Sequence, residues 1–284
     1  MMEKKYFGGW EVDFEDKTRL RFFLLVHGTD KKGFDFFKKV QSALEFQISG
    51  NRLHQAFVCS REGKTRIAEN IDLPIAGWEE HPVFYLTKQK KGPHKLGGDK
   101  PAGLVLPASE DMRTPFQYLG TIDGSDPHFQ WLGVPKLNIV YPLYECNFGI
   151  FLDYSDPQQP QILNPETFSD AWYTGEIPKG IQFTEVHFES KDHTERLTAA
   201  QFEESDDYLI CGVPLWYQMP EVPCCPKTGD VMRFVCTINS DDSIKVVNRE
   251  NRAIPDDYLI FGDHGNLFVF YHPESKVLHL NAQW

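Results

Sequence analysis

Asp263 and His264 lie between Gly262 and Gly265, just ahead of the strand-like run Leu267 to Phe270. An adjacent carboxylate and imidazole on a tight turn can exchange protons with a substrate. Turn chemistry explains the same four residues, because aspartate bonds its own backbone and glycine supplies positive φ. Cys225 is the nucleophile such a pair would serve, yet neither a serine nor a cysteine stands in nucleophile-elbow spacing. Asp263, His264 and Cys225 are therefore the candidates for a hydrolase reading, which needs a site between two halves of the chain.

Cys224 and Cys225, with Cys211, Cys236 and His264, have the ligand types of a zinc site. Adjacent cysteines rarely both reach one metal, so the spacing predicts packed thiols and no metal. Gly97-Gly98-Asp99-Lys100 lacks the spacing of a phosphate loop, and no acidic run has the order of a calcium loop. No cofactor is expected.

The remaining candidates suit contact better than chemistry. Tyr217 and Gln218 follow Trp216 between Pro214 and Pro220, where a rigid loop makes a low-entropy anchor; Trp216 itself is expected in the core. Acidic groups recur at 203–207, at Asp241-Asp242 and at Asp256-Asp257. Of the chain's 29 basic and 41 acidic residues, 15 and 13 fall in residues 1–90, leaving 29 − 15 = 14 against 41 − 13 = 28 beyond, a net −14. A field of that sign disfavours a nucleic-acid backbone and speeds encounter with a basic protein.

The elements that must hold these residues read as strands. Trp10 to Phe14, Leu20 to Val26, Leu53 to Cys59, Thr65 to Ile71 and Val83 to Thr87 have β-branched and aromatic enrichment. A helix is expected near Gly33 to Phe46, with Phe34, Phe37, Val40 (or Gln41) and Leu44 on one face. The run Lys88 to Lys95, broken by Gly92-Pro93, reads as a linker, so residues 1–90 form a small α+β domain. Short helices are expected at Asp126 to Leu132, Pro165 to Tyr173 and Thr194 to Glu203.

Residues 91–284 contain an internal echo. Phe116 to Asp123 reappears, altered, as Met232 to Asn239, an offset of 237 − 121 = 116 at the shared threonine. Phe148 to Pro157 aligns on His264 to Pro273 at the same offset. The fold class is thus α+β, mostly antiparallel β-sheet, with pseudo-duplicated halves at about 94–157 and 208–273.

Leu96-Gly97-Gly98-Asp99-Lys100-Pro101, Cys211 to Gln218, the two echoed strands and Phe261 to Phe270 together resemble the YwqG-like family of bacterial proteins of unknown function, over residues 96–284. The resemblance implies a compact sheet-rich fold with internal duplication and brings no settled reaction. Cys211 departs from it, standing where a glycine is expected.

No apolar run near the start is long enough for a signal peptide or a bilayer span, and six cysteines without such a signal read as reduced thiols in a cytoplasmic protein. The expectation is a non-enzymatic acidic protein that binds a basic protein partner through Tyr217, Gln218, Asp241, Asp242, Asp256 and Asp257. An immunity protein neutralising a basic toxin is its most concrete version. The alternative is a hydrolase or small-molecule binder with a site between the repeats.

Overall fold

Short runs rich in β-branched and aromatic residues recur along the chain, and the structure, a computed structural model, is built almost wholly of antiparallel strands. It describes residues 84–284 apart from 110–111, 113, 145–148, 166–176, 178, 193–207, 213, 215–222 and 249–253; before residue 84 it describes the backbone of six strands. These are β1 (Tyr6–Asp13), β2 (Arg19–Val26), β3 (Ala43–Ser49), β4 (Arg52–Ser60), β5 (Gly63–Ala68) and β6 (Leu73–Pro74). β1 pairs with β2, while β4 pairs with β3, β5 and β6.

The expected helix over Gly33 to Phe46 is overturned at its end. Residues 43–49 form β3, whose Phe46 pairs with Ala56, and only Gly50 and Asn51 separate the paired Ser49 and Arg52. Leu44, Phe46 and Ile48 alternate with Glu45 and Gln47, and a partner strand two residues away makes that period of two decisive. Residues 27–42 lie outside the described residues.

The later chain supplies β7 (Phe84–Gln89), β8 (His94–Leu96), β9 (Phe116–Asp123), β10 (Lys136–Pro142), β11 (Ile150–Asp153), β12 (Gln161–Ile162) and β13 (Val186–Asp192). There follow β14 (Tyr208–Cys211), β15 (Arg233–Asn239), β16 (Asp241–Lys245), β17 (Tyr258–Leu259), β18 (Asn266–His272) and β19 (Val277–Gln283). Eleven of them form one sheet in the order β10-β9-β8-β13-β7-β14-β15-β18-β19-β11-β12, and β16 and β17 make a separate ribbon. The expected division after residue 90 therefore falls within this sheet, because β7 pairs with both β13 and β14.

Of the three short helices expected, the first is a single 3-10 turn at Gln130–Leu132, closed by Gly133 at φ 65°. The other two lie mostly outside the described residues. Among the described residues there is no α-helix, so the α+β expectation gives way to an antiparallel β fold there.

Outward from the central β13–β7 pair, the strands follow matching paths. β8 lies beside β13 and β14 beside β7; then come β9 and β15, then their partners β10 and β18. Leu96 of β8 pairs with Gly120 of β9, and Cys211 of β14 with Cys236 of β15. The β9–β10 and β15–β18 pairs each carry one bulge. Leu119 is the unpaired residue between Tyr118 and Gly120, and Val235 is the one between Phe234 and Cys236.

The main core lies on the face that presents Phe84 and Leu86 of β7, Phe188 of β13, Leu96 of β8, and Val269 and Tyr271 of β18. A sheet this wide curls rather than staying flat. Accordingly Tyr154, just past β11, donates its hydroxyl to the Asn138 carbonyl of β10 at 2.5 Å, joining regions from opposite ends of the strand order. Strand ends are turned by a repeated device, Asp-x-Ser. Asp123, Asp153 and Asp241 each accept the backbone N–H and the hydroxyl of the serine two residues on, at 2.5–2.9 Å.

Candidate functional sites

The β16–β17 ribbon gathers the acidic candidates. Lys245 pairs with Tyr258, Asp256 and Asp257 enter β17, and Asp263 and His264 form the turn that leaves it. Gly265 N–H closes that turn on the Phe261 carbonyl at 2.7 Å. Gly262 takes φ 56° beneath the Trp284 ring, where a Cβ would lie 2.1 Å from a ring carbon, so only glycine fits. His264 takes a left-handed φ of 58° and sets its Nε2 2.7 Å from the Tyr258 hydroxyl.

Tyr258 is the centre of this surface. Partial burial, and then the charges of Asp256, Asp242, Asp257 and Asp263, raise its hydroxyl above the usual tyrosine range. The ammonium of Lys245 lies 5.2 Å from its ring centroid and 3.9 Å from Asp257. Asp242, Asp257, Asp263 and His264 are exposed and Asp256 is half-buried.

Asp241 does not join them. It is 7% exposed and turned inward, where Lys88 of β7 meets it at 2.8 Å. Burial pushes this carboxyl up, but Lys88 and Ser243 outweigh that and hold it below the ordinary range. Asp263 and His264 do not form an acid–base pair either, since among the described residues the ring of His264 bonds Tyr258 and no hydrogen bond joins it to Asp263.

Cys225 belongs to a different network from His264. Its Sγ lies 3.0 Å from Ser275 Oγ, which lies 2.8 Å from His272 Nδ1; His272 Nε2 is 3.2 Å from Glu274. The thiol is 1% exposed. Burial pushes Cys211 well above the usual thiol range, Cys236 to about 12 and Cys224 to about 11. All four described cysteines are free, and among the described residues no group of three or more His, Cys, Asp and Glu could hold a metal ion. Tyr217 and Gln218 lie outside the described residues.

A second polar constellation escaped the sequence reading. Asp126, in the turn after β9, accepts the Ser190 hydroxyl of β13 at 2.6 Å, the His128 backbone N–H at 2.9 Å and the His94 ring of β8 at 3.1 Å. His94 is fully buried, and its Nδ1 accepts the Asp123 N–H, which leaves Nε2–H to donate to Asp126. Burial keeps His94 below the usual imidazole range despite Asp126. For Asp126, burial raises the carboxyl and the bonds from Ser190, His128 and His94 more than reverse it.

His128 completes the group. Its Nδ1 is 3.1 Å from Ser190 Oγ and its Nε2 is 2.7 Å from Asp192. Phe84 stacks on the imidazole at 4.6 Å between ring centroids. Ser190 and Asp192 are two apart on one strand, so both point to the same face. Asp123-Gly-Ser-Asp126 is legible as a turn, but nothing local in the sequence signals that β13, over sixty residues later, closes on it.

A scan against protein-family models gives no match for the chain, and searches of the curated proteins and of the solved structures give none either.

Proposed function

We propose that the chain binds a basic protein through the acidic surface around Tyr258, with a toxin-neutralising immunity protein as the most concrete form of this reading. The observation that carries it is that Asp242 of β16, Asp256 and Asp257 leading into β17, and Asp263 in the turn after it all belong to the ribbon that carries Tyr258, with Asp242, Asp257 and Asp263 exposed. Such a field steers a cationic partner, and an aromatic ring at its centre gives the partner's lysine or arginine a place to rest. Lys245 beside that ring is an internal example of the contact.

The finer architecture belongs to the same proposal. Two units, β7-β8-β9-β10 and β13-β14-β15-β18, are read as copies that have exchanged their first strands, so that β7 lies beside β14 and β13 beside β8. Matched bulges at Leu119 and Val235, which keep the offset of 235 − 119 = 116, support this reading. So does the kinship with the YwqG-like family proposed for residues 96–284, whose Leu96-Gly97-Gly98 segment ends β8 with both glycines at positive φ.

The test is kinetic. Association with a co-purified basic protein is expected to slow at least tenfold between about 50 and 500 mM salt, as screening shortens the reach of the field. A rate indifferent to salt overturns the reading.

A further inference from the structure

We infer that Ser275 and His272, at the turn between β18 and β19, form an acyl-transfer site for uncharged carboxylic esters, separate from the acidic surface around Tyr258. His272 ends β18, and the turn over Pro273 to Lys276 brings Ser275 back over it before Val277 opens β19 and pairs with His272. The turn from Cys225 to Asp230, closed by the Cys225 N–H on the Asp230 carbonyl at 2.7 Å, reaches the same place from another part of the chain. It sets Cys225 Sγ 3.0 Å from Ser275 Oγ and the Lys227 ammonium 3.4 Å from the Ser275 carbonyl oxygen.

The hydrogen positions follow from the donors present. The Ser275 backbone N–H donates to His272 Nδ1 at 3.3 Å, so that nitrogen carries no proton. Nε2 therefore holds the ring hydrogen, and it faces the Glu274 carboxylate at 3.2 Å and that of Asp230 at 3.9 Å. Ser275 Oγ lies 2.8 Å from Nδ1, where two lone pairs would repel, so the serine gives its only hydrogen to the histidine. The Cys225 thiol then donates to the serine oxygen. A hydroxyl proton aimed at a base, with that base oriented by a carboxylate, is the arrangement of a nucleophilic serine. Ser275 is half-buried between the exposed Glu274 and Lys276, so an ester reaches it from solvent, whereas the Cys225 thiol is 1% exposed.

Ser275 Oγ attacks the ester carbonyl carbon, forming the Oγ–C bond, while its proton passes to His272 Nδ1. Protonation of Nδ1 ends its bond with the Ser275 backbone N–H, which is then free to donate to the oxyanion of the tetrahedral adduct. Collapse breaks the C–O bond to the alcohol portion, and the departing alcohol takes the proton from Nδ1. Water next gives a proton to Nδ1 as its oxygen attacks the acyl-serine; the carboxylic acid leaves and Ser275 Oγ takes that proton back. Ser275 and His272 are the catalytic residues, while Glu274 and Asp230 position the ring. Those two carboxylates disfavour an anionic substrate and Lys227 beside the serine disfavours a cationic one, which sets the ester class.

The test treats the intact chain with a fluorophosphonate probe at mildly alkaline pH, maps the adduct by peptide mass spectrometry, and follows p-nitrophenyl acetate turnover. The expected adduct is on Ser275. Ser275→Ala abolishes labelling, and Ser275→Ala and His272→Gln each lose roughly a hundredfold or more of turnover. Ser125→Ala, in the turn after β9, keeps both. Glu274→Gln moves the acid limb of the pH–rate profile to lower pH, which a purely structural role would not do. Wild-type chain that carries no adduct on Ser275, or carries it on Cys225 instead, overturns the inference whether or not the variants fold, and so does turnover that survives Ser275→Ala.

Discussion

Leu119 and Val235 occupy the same place in two strand pairs, β9–β10 and β15–β18: each is the residue skipped in its pair's register, directly before the residue that pairs with the preceding strand of the sheet, β8 or β14. The pairs beside them divide space differently. Gly120 leaves room for Leu96, whereas the matching pair Cys211 and Cys236 carries a buried thiol on each strand.

Gly120→Ala is therefore expected to destabilise the fold. A Cβ there would lie 2.3 Å from the Lys95 carbonyl and 2.7 Å from a Leu96 methyl, so β8 must move. Overpacking of this kind costs about 1–3 kcal/mol. Gly133→Ala meets nothing within 4 Å and adds only the strain of its φ of 65°, about 1 kcal/mol. Denaturant midpoints of the two variants give the comparison.

Lys88→Met leaves the Asp241 carboxylate, 7% exposed, without its cation, at an expected cost of about 1–3 kcal/mol. The pH dependence has a definite sign. Because the folded Asp241 lies below its ordinary 3.8, its stabilisation is present above that value and fades as pH falls through the folded one. Lys88→Met should weaken this acid-side loss, which urea titrations at pH 7 and in the acid range would show.

His279 provides a second acid-sensitive element in a different window. It is buried in the sheet with Phe151 at 4.4 Å and Phe270 at 6.0 Å, its Nδ1 has no hydrogen-bond partner, and burial lowers it from 6.5 to about 3. The unfolded chain takes up the proton first, so stability is full above about pH 6.5 and declines on acidification, by up to about 1.4 kcal/mol per pH unit. His94 shifts in the same direction, so His279→Leu is expected to reduce the slope between pH 6.5 and 4 without removing it. An unchanged slope would exclude His279 as a source.

On the acidic surface, rate and lifetime should separate. Asp256→Asn with Asp263→Asn removes long-range attraction and is expected to slow association with the basic partner, roughly threefold to tenfold at low salt. Tyr258→Ala removes the ring and should instead speed release, by about tenfold if one desolvated cation–π contact is lost. Surface plasmon resonance resolves the two rates.

Much of this protein was decided locally. β-branched and aromatic enrichment in Arg19–Val26, Arg52–Ser60 and Phe116–Asp123 marks strands, Asp-x-Ser marks their turns, and Gly262 and Gly265 mark the bend at Asp263 and His264. These depend on neighbours within a few residues, so they can be read along the chain. Phe34 to Leu44 misled because a helical face and a strand's alternation coincide over short apolar runs, and pairing between Ala43–Ser49 and Arg52–Ser60 settles residues 43–46 as strand. Tertiary structure alone turned Asp241 toward Lys88, separated Cys225 from His264, and brought His94, Asp126, His128 and Ser190 together across β8. Those outcomes rest on which strands become neighbours, a choice made by burial over the whole sheet, and no segment contains that information by itself.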